Sequence, residues 1–247
     1  MAYFGVASLD GFGTFSREVP RAGTQLEAAR RKARAGMALL GVDCGVASEG
    51  SFGESYGGWL PSNVELVVLI DERRQLELVG RAEGAPHHLH ARVSTHEALQ
   101  AFALRADFPA HGLILRPDDE DDPRVRKGAV DEASLHAAFE AALAESRTGA
   151  VFVESDLRAH RNPTRRAVIR RATEDLLARV ASACPRCATP GFWAVERLDG
   201  LPCRDCATPT SETRATRWGC VRGDHVELRA VAPALLADPA RCPACNP

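Results

Sequence analysis

Seven of the eight cysteines in this 247-residue chain lie between Cys184 and Cys245, and they constrain it more than any other feature. Cys184, Cys187, Cys203 and Cys206 read C-x2-C, a gap of fifteen residues, then C-x2-C. That spacing suits a tetrahedral zinc site built from two turns, each aiming two thiolates at one point. Cys220, Cys242 and Cys245 follow and end in another C-x2-C. They lack a fourth thiolate, and His225, with Asp224 before it, is the nearest candidate. A crossed pairing, with one turn from each half sharing a metal, stays open on spacing alone. In either pairing the expected ions are structural zinc, one or two per chain, with no position evidently left for water. Disulfides fit less well, because nothing marks the chain as secreted and paired C-x2-C turns in a reducing compartment favour metal. The remaining cysteine, Cys44, reads as a small core residue.

These features point to a cytoplasmic protein with an α/β core at 1–181 and a cysteine-rich zinc-binding module at 182–247. The net charge is −2, so no global basic field attracts nucleic acid. No apolar run is long enough to span a bilayer, and no membrane partner is expected. An oligomer is compatible with the sequence.

Along the core, Thr24 and Glu27 form a capping box for a helix to Gly41, with Leu26, Ala29, Ala33, Met37 and Leu40 at helical spacing. Val42 to Ala47 reads as a buried strand running into a tight polar turn, SEGSFG, at Ser48 to Gly53. Val64 to Asp71 is the strongest strand, and Gln75 to Arg81 alternates as its hairpin partner. The histidines at 87, 88 and 90 read as a loop that could bind a metal, though solvated histidines are the commoner case. Ser94 and Glu97 predict a second capped helix, to about Arg105. His111 to Arg116 predicts a strand, and the acidic run PDDEDDP a solvated loop. Asp131 caps a helix to about Glu145, and Ala150 to Glu154 is another buried strand. The mixture predicts an α/β fold with a mixed parallel/antiparallel sheet flanked by helices, plus a small C-terminal zinc-ribbon-like module. No internal repeat organises the chain.

Three polar segments could carry chemistry. In ESDLRAHRNPTRR, Asn162 before Pro163 signals a helix start, whose exposed amides favour an anion. Arg158, His160, Arg161 and Arg165 crowd that start, and Arg165 leans toward the core side, where it needs a protein carboxylate or a bound phosphate. In SEGSFG, Glu49 stands among small residues, as a magnesium ligand, a general base or a turn cap would, with Ser51 beside it. In DGFGTFSREVPR, Asp10 and Glu18 are further candidate catalytic acids. Lys32 and Lys127 could each meet an anion.

FGTFSREV, ASEGSFG, FPAHGLILRP, the KG pair, ESDLRAHRNPTRR, CPRC, PGF and GLPCRDC, in that order, resemble a family of uncharacterised bacterial proteins, a domain of unknown function with a zinc-ribbon-like tail. That family usually carries a further C-x2-C where this chain reads Cys220-Val221-Arg222-Gly223. A fainter likeness, carried by the TQLEAARRKA helix and the strand and acidic turn after it, is to inosine/xanthosine triphosphate pyrophosphatases. It implies a phosphate-binding Lys32, a magnesium-holding Glu49, and His160, Arg161 and Arg165 near base or phosphates. The phosphate loop that opens those enzymes is missing here, which implies a truncated start or impaired triphosphate binding.

Two readings follow. One is a magnesium-dependent hydrolase of a nucleotide or another phosphorylated small molecule, with Glu49 holding the metal and Arg158, Arg165 and Lys32 neutralising phosphate. The other is a non-catalytic zinc-ribbon protein that docks on nucleic acid or a protein partner, since Arg214, Arg217, Trp218, Arg222 and Arg229 mix basic and aromatic character.

Overall fold

The computed structural model describes residues 23–55, 60–231 and 235–247. The chain forms two compact units, Met1–Leu176 and Leu177–Pro247, so the division falls within the last core helix, a few residues before the expected boundary at 181.

The first unit opens with α1 (Gln25–Leu40). Its capping box is formed as expected, with Thr24 and Glu27 each bonding the other's backbone N–H, and Gly41 ends it at φ 64. A three-stranded meander follows, β1 (Cys44–Ser55), β2 (Leu60–Asp71) and β3 (Leu76–Gly84), ordered β1-β2-β3 and antiparallel throughout. SEGSFG is therefore not a turn: it lies inside β1, where Glu49 pairs across from Leu66 and Gly50 from Glu65. Its glycines disfavour a strand locally, and pairing along the long partner β2 overrides that preference. Cys44, at the start of β1, is exposed rather than in the core.

Alternation divides this sheet's two faces between two helices. On one face Val68 and Ile70 meet Ala29, Ala33 and Met37 of α1. The other receives α4 (Pro163–Ala181). At Gly80 on β3 a Cβ would come within 2.2 Å of the Ala172 carbonyl oxygen and 2.5 Å of the Leu176 nitrogen. Helix backbone thus rests directly on strand backbone, and only glycine permits that approach. Asp175 on α4 accepts the Arg81 amide at 2.9 Å, capping the free edge of β3.

The second sheet holds β4 (His90–Val93), β5 (Leu113–Arg116), β6 (Arg126–Lys127) and β7 (Val151–Ser155) in the order β4-β7-β5-β6. One face packs on α2 (His96–Arg105) and α3 (Glu132–Glu145) through Leu99, Phe102, Leu135, Phe139, Leu113, Leu115, Val151 and Val153. The expected mixed sheet does not form, because every pair of the named strands among the described residues is antiparallel. The helix α2 does connect two strands of like direction, β4 and β5, but β7 inserts between them and pairs with both. The N-cap of α2 is Thr95, one residue later than expected.

The acidic run is not simply solvated. Asp118 and Asp122 are buried. Asp118 accepts from Arg147 Nε and the Arg147 amide, both at 2.8 Å, and from Arg124 at 3.2 Å. The Arg147 guanidinium, aided by that amide and Ser146, holds the Asp118 carboxyl well below the usual carboxylate range, against the opposing effect of burial.

The second unit is a three-stranded antiparallel ribbon, β8 (Trp193–Asp199), β9 (Thr213–Gly219) and β10 (Val226–Ala230), ordered β10-β9-β8. No helix among the described residues is long and apolar enough to cross a membrane.

Two consequences are measurable. Gly80→Ala forces α4 off β3 and costs about 1–3 kcal/mol, seen as a melting temperature lower by roughly 2–4 °C per kcal/mol. Asp118, with its folded pKa depressed, contributes stability in full above the unfolded aspartate range near ~3.9 and loses it as pH falls below. Asp118→Asn therefore melts earlier than the parent at neutral pH, and the difference closes in acid; coincident melting curves at neutral pH would refute the role.

Candidate metal centre

The cysteines converge in two groups. Cys203, Cys206, Cys242 and Cys245 form one, and Cys184, Cys187 and Cys220 the other, with ligand atoms in each within 4.8 Å of one another. The pairing by order along the chain, 184/187 with 203/206, is thus replaced by the crossed one. The ribbon's connections explain it: the turn at Cys203 lies between β8 and β9, whereas Cys220 follows β9 at its other end.

The spacing fits zinc. Cys206 and Cys242 Sγ are 3.5 Å apart, Cys203 and Cys245 3.9 Å, Cys187 and Cys220 3.6 Å. Tetrahedral zinc with Zn–S of about 2.3 Å places its sulfurs about 3.8 Å apart, whereas a disulfide needs about 2.0 Å. The Cys₄ set is complete, so an ion there has no open position and serves the fold.

Local sequence builds each turn twice. CPRCATP and CRDCATP repeat one seven-residue pattern. In both, the amide of the first cysteine bonds a threonine carbonyl, at 2.8 Å for Cys184 to Thr189 and 2.9 Å for Cys203 to Thr208. The following alanine, Ala188 or Ala207, takes a left-handed φ of 57 or 59. The same threonine sets its hydroxyl 3.3 Å from Cys187 Sγ or 3.2 Å from Cys206 Sγ. This hydroxyl and the Thr208 amide lower the Cys206 thiol to about 6, and their counterparts at Thr189 lower Cys187 to about 7. Cys245, an exposed residue whose thiol is hydrogen-bonded to Cys206 and partly desolvated by the neighbouring sulfurs, is pushed up to about 12. The turns thus supply thiolates ready for a cation, and one thiolate suppresses its neighbour until a dication arrives.

The three-thiol group stops short. Arg222 donates its amide to Cys220 Sγ at 3.4 Å, as the amide two residues past a cysteine does in a metal-binding turn, but the second cysteine position is Gly223. A Cβ built there meets only Cys220 Sγ, at 4.0 Å. His225, expected as the fourth ligand, does not join the thiols: its ring stacks on Phe192 at 5.5 Å and its Nε2 lies 3.3 Å from Glu227. Asp224 pairs with Arg186 at 3.1 Å.

The residues expected to receive an anion do not share one hollow. Lys32 Nζ donates to Glu49 Oε2 at 2.6 Å on the α1 face of the first sheet, and Ser51 follows on the same face. Arg165 reaches Glu65 Oε1 at 2.6 Å on the α4 face. The β-strand period separates them, since Gly50, across from Glu65, is the residue next to Glu49. Burial pushes the Glu65 carboxyl up while Arg165 opposes it. Arg158 grips the fully buried Asp156 with Nε at 2.9 Å and Nη2 at 2.5 Å. Arg161 donates to the Ala129 carbonyl. His160 is exposed, and desolvation of its ring by neighbouring groups and the charge of Arg158 lower its pKa. Asn162 caps α4 as expected, accepting the Arg165 amide at 2.9 Å. Lys127 is exposed on β6. Asp10 and Glu18 lie outside the described residues. Glu49 belongs to no group of three potential ligands among the described residues, so the expected magnesium finds no support there.

Residues 32–247 match the family described as a domain of unknown function, DUF6671. The chain belongs to this family. No curated protein and no solved structure matches it, so the likeness to inosine/xanthosine triphosphate pyrophosphatases finds no counterpart.

If Gly223 is the missing ligand position, Gly223→Cys closes the second site. Zinc should then leave to a chelator about tenfold more slowly or slower, on the scale of a ligand-shell change, while the Cys₄ zinc leaves at an unchanged rate.

Proposed function

We propose that this DUF6671 protein is a non-catalytic zinc-ribbon docking protein, with the ribbon taking up an extended segment of a protein partner along β10. The supporting observation is the apolar face that the ribbon presents at its edge. Val226 and Leu228 on β10 are 45% and 66% exposed, and Val195 on β8 is 58% exposed. Gly219 on β9 lies between them, and its missing side chain lets Val195 lean over it, with Cγ atoms 3.3 Å from where a Cβ would stand. The Arg217–Glu196 ion pair borders the same face at 2.7 Å. Apolar residues rimmed by polar ones on a terminal strand suit strand addition, in which main-chain bonds give affinity and alternate side chains give selectivity.

Nucleic acid is the weaker partner. Arg186, Arg204, Arg217, Arg229 and Arg241 each lie within ion-pair distance of an acid of the ribbon. Arg229 also covers Trp218, 3.9 Å from the ring centroid, where a base would otherwise stack. The hydrolase reading lacks a shared site, because Glu49 and Arg165 are paired on opposite faces of one sheet.

Zinc-loaded full-length protein should bind members of an array of extended peptides with alternating apolar residues. Leu228→Asp and Val226→Asp should abolish binding and leave melting and zinc content unchanged. Equal binding by these variants, or salt-dependent binding of single-stranded RNA with no peptide bound, would sink the proposal.

A further inference from the structure

Three side chains of the first unit converge as the thiols do. His87 lies between β3 and β4, and Asp107 and His111 bound the turn between α2 and β5. One ligand atom from each lies within 4.8 Å of the other two. The turn is closed by the His111 amide donating to the Asp107 carbonyl at 2.9 Å, with Asp107 itself in the left-handed region at φ 54. A non-glycine residue there is uncommon, and aspartate is among the few that tolerate it. The two imidazole rings sit with centroids 4.0 Å apart.

A second observation points to a ligand. His111 is buried, and its Nδ1 has no hydrogen-bond partner. Its other nitrogen, Nε2, lies 3.0 Å from Thr164 Oγ1 in the first turn of α4. Nε2 is therefore satisfied, and Nδ1 is left for a ligand. Leaving a buried polar atom unmet costs about 1–3 kcal/mol, and native structures meet such atoms with water or an ion. His87 is held at one nitrogen as well: its Nε2 donates to the Ala106 carbonyl at 3.1 Å, an atom that can only accept, and Nδ1 is the nitrogen left for a ligand. An imidazole oriented by an oxygen at one nitrogen and ligating through the other is the usual outer-shell arrangement of a metal-bound histidine.

We propose that His87, Asp107 and His111 form a third metal site, for a first-row divalent cation such as zinc, iron(II) or manganese. Two imidazoles and one carboxylate are the donor set these ions accept, whereas magnesium and calcium prefer an all-oxygen shell. Asp107 is exposed and His87 half-buried, so the site faces solvent on one side. Three protein donors leave coordination positions there for water or an anionic ligand, in contrast to the closed Cys₄ group. The site belongs to the first unit, and the docking proposal neither needs it nor suffers if it fails.

Cobalt(II) separates the two kinds of site, because thiolate coordination gives intense near-ultraviolet charge-transfer bands and nitrogen/oxygen coordination does not. Full-length protein with its thiolate sites already filled with zinc should take up about one further equivalent of cobalt, with visible d–d absorption and no new charge-transfer band. His87→Ala and His111→Ala should lose that equivalent. Asp107→Asn, at an exposed position, should weaken it tenfold or more without altering the melting temperature, which covers the case in which the His111 variant misfolds. In the parent, zinc should shift the ring-proton resonances of both histidines. Equal cobalt uptake by the parent and a folded Asp107→Asn or His87→Ala variant, or uptake seen only as thiolate charge transfer, would overturn the assignment.

Discussion

Charge held out of water fixes the first unit. Glu49, Glu65, Glu154 and Asp156 are all buried, and each meets a cation from another segment or from two residues on: Lys32, Arg165, Arg116 and Arg158. An ionised group left unpaired in such surroundings is strongly destabilising, so each pair specifies which partner must arrive. The Lys32 pair fixes α1 over β1, and the Arg165 pair fixes the start of α4 over β2. Removing one partner does more harm than the pair contributes, which makes these contacts specifiers of arrangement more than sources of stability.

The same pairs bear on function. A guanidinium poised for phosphate needs its charge directed at the ligand, and those expected to receive one here are directed at carboxylates or carbonyls of the protein. Among the described residues, the buried side-chain polar atoms without a hydrogen-bond partner are both of Asn63, Nδ1 of His111, Nε of Arg126 and Nε of Arg161, whose Nη2 is held by the Ala129 carbonyl. His111 has potential ligands beside it, so the second metal chemistry of the molecule belongs to nitrogen and oxygen donors in the first unit. The thiolates belong to the ribbon, where a domain of this size has too little apolar core to stand without a staple.

Much of the local structure was legible in the residues. The capping box at Thr24, the glycine stop at Gly41, the cap at Asn162 and the strands at Val64 and Val151 follow from side chains acting within a few residues of themselves. So does the metal chemistry of the ribbon, since a C-x2-C turn converges its own thiolates wherever it is placed. The ATP that follows both early turns was equally readable. The misreadings arose where a distant partner decides. SEGSFG is a strand because β2 is long enough to pair it, and the acidic run is partly buried because Arg147 reaches it from beyond α3.

By itself the sequence determined the helices, the stronger strands and a thiolate-rich tail able to hold a metal, because those depend on short-range spacing and donor chemistry. Tertiary structure alone decided that the sheets are antiparallel, that the cysteines pair crosswise, and that Glu49 and Arg165 are separated by a sheet. It also brought His87 beside Asp107 and His111, twenty and twenty-four positions along. In each case the deciding quantity is which segments lie side by side, and that is settled by long-range packing and pairing rather than by any residue's local preference.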